Sequence, residues 1–229
     1  RAIFMAELRD LNACAILHSA PVYDRNLAVE FPYRQDSDFL YLTGWVQNQS
    51  ILVITPKMDS ANQAEVSFFV PSRDPKREIW TGPKKGLAEA RILPGVDQGI
   101  EYAEFYEHLG NLINGYDRLV ISYGNDAEFR LDFDRQLKSM YLRPTIVQEA
   151  ASILTSQRLI KSDREIQSLE QAIKITGQAI IESWPLIPTL KFEYEVQAEI
   201  EYGFTKRGAT RFAFPSIVAA GKNTTFLHY

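Results

Sequence analysis

Cysteine is almost absent from this chain, with Cys14 the single example in 229 residues. An intrachain disulfide is therefore excluded, and Cys14, inside the apolar run Ala13–Leu17, reads as a small buried hydrophobe instead of a reactive thiol. Histidine is nearly as scarce, with only His18, His108 and His228, so any histidine-dependent chemistry must use one of these three. No stretch approaches the roughly 20 apolar residues of a membrane span, and the first residues lack the basic region and long apolar core of a secretion signal. Charge of one sign is also missing. Twenty-five Lys+Arg stand against 29 Asp+Glu, a net charge of −4. Such a chain has no electrostatic footprint for nucleic acid or anionic lipid. A soluble, cytoplasmic protein with no nucleic-acid or membrane partner is expected. The phosphate-binding and catalytic signatures GxGxxG, GxxxxGK[ST], HExxH, GxSxG and CxxC are absent as well.

What is present is an ordinary globular composition, 45% hydrophobic and 24% charged, long enough for two modest domains. Ile3, Phe4, Leu8 and Leu11 recur at helical spacing, and the run ACAIL after them reads as a buried strand. SILVITP and EVSFFVP are strands closed by Pro56 and Pro71, with the polar turn KMDSANQ between them. Residues Glu101–Asn114 and Ala127–Tyr141 read as amphipathic helices around the strand DRLVISYG. This alternation implies an α/β layer architecture.

Near residues 150–160 the pattern changes. Ile166, Leu169, Ile173, Ile180 and Trp184 line one helical face, with Ser162 and Glu165 as a capping box and Pro185 near the end. A second helix carries Phe192, Val196, Ile200 and Phe204, with Glu193, Glu195, Glu199 and Glu201 on its solvent side and Gly208 as its stop. Phe212–Gly221 suggests extended chain entering a sheet. The chain starts at Arg1 and closes on an apolar segment ending at Tyr229, so a piece of a longer protein is expected.

The default roles of the histidines differ. His108 suits helix packing or the surface, and His18 suits a strand end with a bond to backbone. His228 reads as a polar ring at the end of a short apolar strand. The helix acids do not converge, and beyond Glu201 there is no carboxylate while Lys206, Arg207, Arg211 and Lys222 add positive charge. A dinuclear site needs several converging carboxylates, so no metal ligand is expected in this chain.

The stretch Phe31–Gly44, FPYRQDSDFLYLTG, resembles a segment of the aminopeptidase P family of the creatinase/prolidase, or pita-bread, superfamily. Arg73-Asp74, Glu78-Ile79-Trp80-Thr81-Gly82, Arg158–Ser162 with Glu165-Ile166, Phe192–Glu195, Gly208-Ala209, Ser216–Gly221 with Asn223, and Leu227-His228-Tyr229 are similar to further family elements in the same order. By their own chemistry, Tyr33, Phe39 and Tyr41 would pack a core by alternation, Asp36 and Asp38 suit caps or turns, and Gly44 suits a turn with positive φ.

The resemblance implies a creatinase-like N-terminal domain with a mixed sheet and flanking helices over 1–155. The opening helices and strand of a pita-bread catalytic domain would occupy 156–229. It implies a metal-dependent aminopeptidase that releases the N-terminal residue from peptides with proline second. Two divalent ions, Mn²⁺ by the family's habit, would share a hydroxide and be held by two aspartates, one histidine and two glutamates, all lying beyond Tyr229. The resemblance makes His228 the catalytic residue, contacting substrate or the developing oxyanion. It gives Trp80 a substrate-binding role on a loop that reaches an active-site mouth; the ordinary reading of that tryptophan is a core or domain-interface residue. A homo-dimer or homo-tetramer is implied too. The competing readings are a prolidase acting on Xaa-Pro dipeptides and a non-catalytic pita-bread protein that binds peptides or histones.

Overall fold

The computed structural model describes residues 1–27, 29–57, 64–141 and 143–229. They form two compact units, Arg1–Leu159 and Ile160–Tyr229. In the first, α1 (Ala2–Asp10) places Phe4 and Leu8 one turn apart, and both are fully buried. Asn12, at φ 48°, turns the chain into β1 (Ala13–His18), where every position is buried. An unbroken apolar run of this kind suits a central strand covered on both faces. The antiparallel pair β2 (Asp24–Asn26) and β3 (Val29–Glu30) stands apart from the main sheet.

Next come α2 (Ser37–Thr43), β4 (Ile51–Pro56), β5 (Ala64–Val70), α3 (Pro75–Thr81), α4 (Leu87–Arg91), β6 (Gln98–Glu101), α5 (Phe105–Ile113), β7 (Arg118–Ser122), α6 (Ala127–Ser139), β8 (Ile146–Glu149) and α7 (Ala151–Leu159). The sheet order is β6-β5-β4-β1-β7-β8. It is mixed: β1 and β5 run antiparallel to β4, β7 runs parallel to β1, β6 to β5 and β8 to β7. Of the polar turn expected after β4, residues 58–63 lie outside the described residues.

Period-2 alternation divides β1 between two cores. Ala13, Ala15 and Leu17 join Phe4, Leu8, Phe39, Trp45 and Phe68 on one face. Cys14 and Ile16 join Phe69, Phe105, Leu109, Phe129 and Phe133 on the other. Burial pushes the Cys14 thiol up to about 12, in keeping with an inert core cysteine.

The stretch Phe31–Gly44 departs from the alternation expected of it. Asp36 is an N-cap whose carboxylate accepts from the backbone N–H groups of Asp38 (3.0 Å) and Phe39 (2.9 Å), and Gly44 closes α2 at φ 65°. The helical period then buries Phe39 and Leu42 and turns Tyr41 outward. Capping thus overrides the aromatic alternation. Before the cap, the buried amide of Gln35 uses its full bonding capacity. Its Oε1 accepts from Ala20 N (2.7 Å) and Asp36 N (2.9 Å), and its Nε2 donates to the carbonyls of Trp45 (3.1 Å) and Gln47 (2.9 Å).

In the second unit, Ser162 and Glu165 form the expected capping box on α8 (Asp163–Ser183), and α9 (Glu193–Lys206) follows a short 3₁₀ turn. The helices meet where a Cβ on Gly203 would lie 2.6 Å from Ala179 Cβ, so only glycine permits this approach. The face expected to be buried, with Ile166, Leu169, Ile173 and Trp184, is exposed in this unit. Residues 209–220 run without a β-ladder among the described residues, where entry into a sheet was expected. A strand needs a neighbouring edge to hold it, and the described residues of the second unit include no other strand.

Gln35→Leu keeps the shape but leaves four backbone groups, two buried and two partly buried, without this partner. It is expected to lower the unfolding free energy of the first unit by about 3 kcal/mol or more. Urea titration followed by fluorescence checks this; a loss below about 1 kcal/mol would show that the amide is not the fastener described.

Candidate functional site

The surroundings of His228 are built from the first turn of α9. Glu195 closes that turn by accepting from the backbone N–H groups of Phe192 (2.8 Å) and Lys191 (2.7 Å). Glu193 faces another way. Its carboxylate accepts from Ala220 N (2.5 Å), Asn223 Nδ2 (2.9 and 3.1 Å) and the Tyr229 hydroxyl (2.6 Å). These donors hold the carboxyl below its ordinary range, Tyr229 contributing most, and the same bond raises the Tyr229 phenol. His228 is exposed and lies in a turn after the 3₁₀ segment Gly221–Thr225, so the strand end expected for it is not formed. Glu193 was read as one of a solvated row; its partners lie 27 to 36 residues away in sequence, a distance over which helical periodicity is silent.

Trp80 lies in the first unit, on a helix and not on the expected loop. Asp74 caps α3 by accepting from Lys76 N (3.0 Å) and Arg77 N (3.3 Å), and Pro75 occupies the first helical turn where its missing N–H costs nothing. Arg73 clamps Glu78 through Nε to Oε1 (2.8 Å) and Nη2 to Oε2 (2.5 Å). Gly82 ends the helix at φ 77°. Every named residue of the Arg-Asp and Glu-x-Trp-x-Gly elements except the tryptophan therefore builds the helix. Trp80 itself is 89% exposed, which corrects the core reading for this unit.

His18 is buried, its ring stacked on Phe129 at 3.9 Å between centroids, with Nε2 3.0 Å from the Tyr102 hydroxyl. The tyrosine hydroxyl is thus a partner of the ring alongside the backbone of Ser19, the kind of contact expected at a strand end. Its Nδ1 lies 3.9 Å from Asp126 Oδ2. Burial lowers its pKa to about 4 against the partial opposition of Asp126, so it is a neutral core histidine. His108 sits on α5 against the edge of Phe69 and 3.6 Å from Glu104, the helix-packing role expected of it. Among the described residues no three His, Cys, Asp or Glu side chains converge on a point that could hold a metal ion. The donor set present does not fit a dinuclear centre.

The family model described as aminopeptidase P, N-terminal domain, matches residues 1–121, and that of metallopeptidase family M24 matches 167–229. Xaa-Pro aminopeptidase of Escherichia coli (strain K12) is 29% identical over 98% of this chain and 52% of its own length. Xaa-Pro aminopeptidase 3 of Homo sapiens is 32% identical over 93% of this chain and 43% of its own. Among solved structures, proline aminopeptidase P II from Yersinia pestis matches with a TM-score of 0.89 at 30% identity, over 99% of this chain and 53% of that one. The mixed sheet with flanking helices is thus shared with that protein. The chain spans about half the length of the curated relatives it matches.

The depressed pKa of His18 predicts an acid limb of stability. The unfolded histidine, near 6.5, takes up a proton that the folded one resists until about 4, so the contribution is complete above pH 6.5 and is lost as pH falls toward 4. Between pH 7.5 and 4.5 the wild type is expected to lose about 2–3 kcal/mol more than His18→Gln. Parallel pH dependence of the two in urea titrations would refute it.

Proposed function

Because the chain belongs to the aminopeptidase P family, we propose that it acts, as part of a longer polypeptide, in an Xaa-Pro aminopeptidase that releases the N-terminal residue from peptides with proline second. The observation that carries this reading is the order of the matches. The N-terminal-domain model and the metallopeptidase M24 model follow one another along the chain, and relatives named Xaa-Pro aminopeptidase align with more than nine-tenths of it. The Glu78–Gly82 element favours this reading over a prolidase.

The M24 family implies divalent metal ions. In this proposal they are Mn²⁺, held by residues other than those described here. What this chain supplies is recognition. An Xaa-Pro bond has no N–H at the scissile nitrogen, so the bond is gripped from its carbonyl side, where charge develops in the transition state. His228, exposed and capable of donating, serves that oxygen. Trp80 offers a solvent-facing indole that stacks on substrate or on the mouth of a neighbouring subunit's site, in a cytoplasmic homo-dimer or homo-tetramer. Such a role requires an indole free of its own core, as it is in this unit.

In the full-length enzyme, His228→Ala is expected to lower kcat/KM by roughly 10²-fold with metal content unchanged. Metal lost along with activity would make His228 a ligand or a support instead. Trp80→Ala is expected to raise KM for longer Xaa-Pro peptides more than for Xaa-Pro dipeptides. Its melting temperature should stay within the small range typical of exposed positions, about ±0.5 kcal/mol in stability. A length-independent effect with a large fall in melting temperature would count against the substrate role, and a preference for dipeptides alone would favour a prolidase.

A further inference from the structure

We infer that Glu193 is the positioning residue for His228: one carboxylate at the start of α9 fastens both ends of the loop that carries the histidine. The inference rests on the reading of His228 given above and extends it to a residue that touches neither substrate nor metal.

Three otherwise separate motifs meet at this carboxylate. Ala220 and Asn223 bind it on the near side of the loop, and Tyr229 binds it on the far side. Residues 224–228 lie between the two attachments, so closing both on one group confines the intervening backbone, His228 included. Tyr229 follows His228 directly, and consecutive Cα atoms are about 3.8 Å apart. A tyrosine whose hydroxyl is fixed at 2.6 Å therefore leaves little freedom for the residue before it. Asn223 Nδ2 also lies 2.8 Å from the Tyr229 hydroxyl, which ties the two attachments to each other.

Helix capping does not explain Glu193. Glu195 already satisfies the backbone donors of Lys191 and Phe192. A bare preference for negative charge at a helix start would be met by either acid, because the dipole is felt throughout the first turn. Only Glu193 reaches the 220–229 segment. An anion is also the appropriate chemistry. Both oxygens act as acceptors, Oε1 for Ala220 and Asn223 and Oε2 for Asn223 and Tyr229. A glutamine would keep one oxygen and turn an NH₂ toward the remaining donors. Charge-assisted bonds of this kind are shorter and stronger than neutral ones, and a misplacement of about 1 Å in a group acting on substrate is enough to cost about 10²-fold in rate.

The test is a double-mutant cycle in the full-length, metal-loaded enzyme on an Xaa-Pro peptide. Glu193→Ala is expected to lower kcat about tenfold or more with KM changed less than about threefold, and Glu193→Gln to fall between it and wild type. In a His228→Ala background the Glu193→Ala change should cost less than about twofold further, because the group it positions is gone. Tyr229→Phe removes a single bond and covers the case in which Glu193→Ala fails to fold; its smaller loss of kcat should likewise vanish in the His228→Ala background. Additive losses, or unchanged kcat in both Glu193→Gln and Tyr229→Phe, overturn the inference while leaving the role of His228 standing. If His228→Ala alone has no effect, the reading of His228 falls first, and the positioning role falls with it.

Discussion

The first unit depends on one buried amide. Gln35 binds the chain where it leaves β1 at Ala20, where it enters α2 at Asp36, and where it approaches β4 at Trp45 and Gln47. A buried amide with any of these bonds missing would cost free energy in place of adding it. With all four made, it selects a single path for residues 20–47. The consequences spread outward. Trp45 reaches the core with its Nε1 donating to Ser50 Oγ at 3.0 Å, and Ser19 Oγ accepts from Ser50 N at 2.9 Å. The crossing from β1 to β4 is thereby fixed on the polar side while Phe39, Trp45 and Phe68 pack on the apolar side.

In the first unit the elements built from apolar runs were legible from the sequence, and those attached by hydrogen bonds to distant residues were not; the Ser162–Glu165 capping box, a local bond, was legible too. β1, β4, β5 and β7 are runs of apolar residues, and α1, α5 and α6 repeat at 3.6; each follows from patterning. β6 and β8 are four-residue edge strands with little apolar content turned inward. β6 is attached through Asp97, whose N–H donates to Val66 O at 2.9 Å while its Oδ2 accepts from Val66 N at 2.8 Å. An aspartate between Val96 and Gln98, with Gly95 and Gly99 close on either side, carries no strand signal of its own, and nothing in its neighbours reveals a partner 31 residues away. The same holds for α2, where the cap at Asp36 was visible but the alternating aromatics pointed to a different period.

The candidate site divides in the same manner. His228 and Trp80 could be named only because the motifs around them resemble a family's. Chemistry and spacing alone single out neither. Residue type also conceals which member of a motif acts and which one supports it. In the Arg73–Gly82 stretch the structure spends Arg73, Asp74, Glu78 and Gly82 on a seven-residue helix and leaves the indole in water, where the ordinary reading of a tryptophan is core. Glu193 was hidden for a simpler reason. It stands in a row of glutamates on one helix, and the row is a category into which each member falls until its individual partners are known.

The two units hold their candidate residues, Trp80 and His228, by different physics. Trp80 is carried by a capped helix attached to a sheet with a dry core on each face, so its position is set by burial elsewhere. His228 has no such support within its own unit. Leu227 and Phe226 beside it are exposed, and the buried contacts of α8 and α9 reduce to Ala179, Ser183 and Gly203. What fixes its loop is a set of hydrogen bonds to one carboxylate. In water such bonds compete with solvent and contribute little net. Where water is excluded the same bonds strengthen, because charge interactions grow as the local dielectric falls. The order of the His228 loop is therefore coupled to the dryness of its surroundings: any surface that covers Glu193 tightens the loop by the same act that closes it off from solvent.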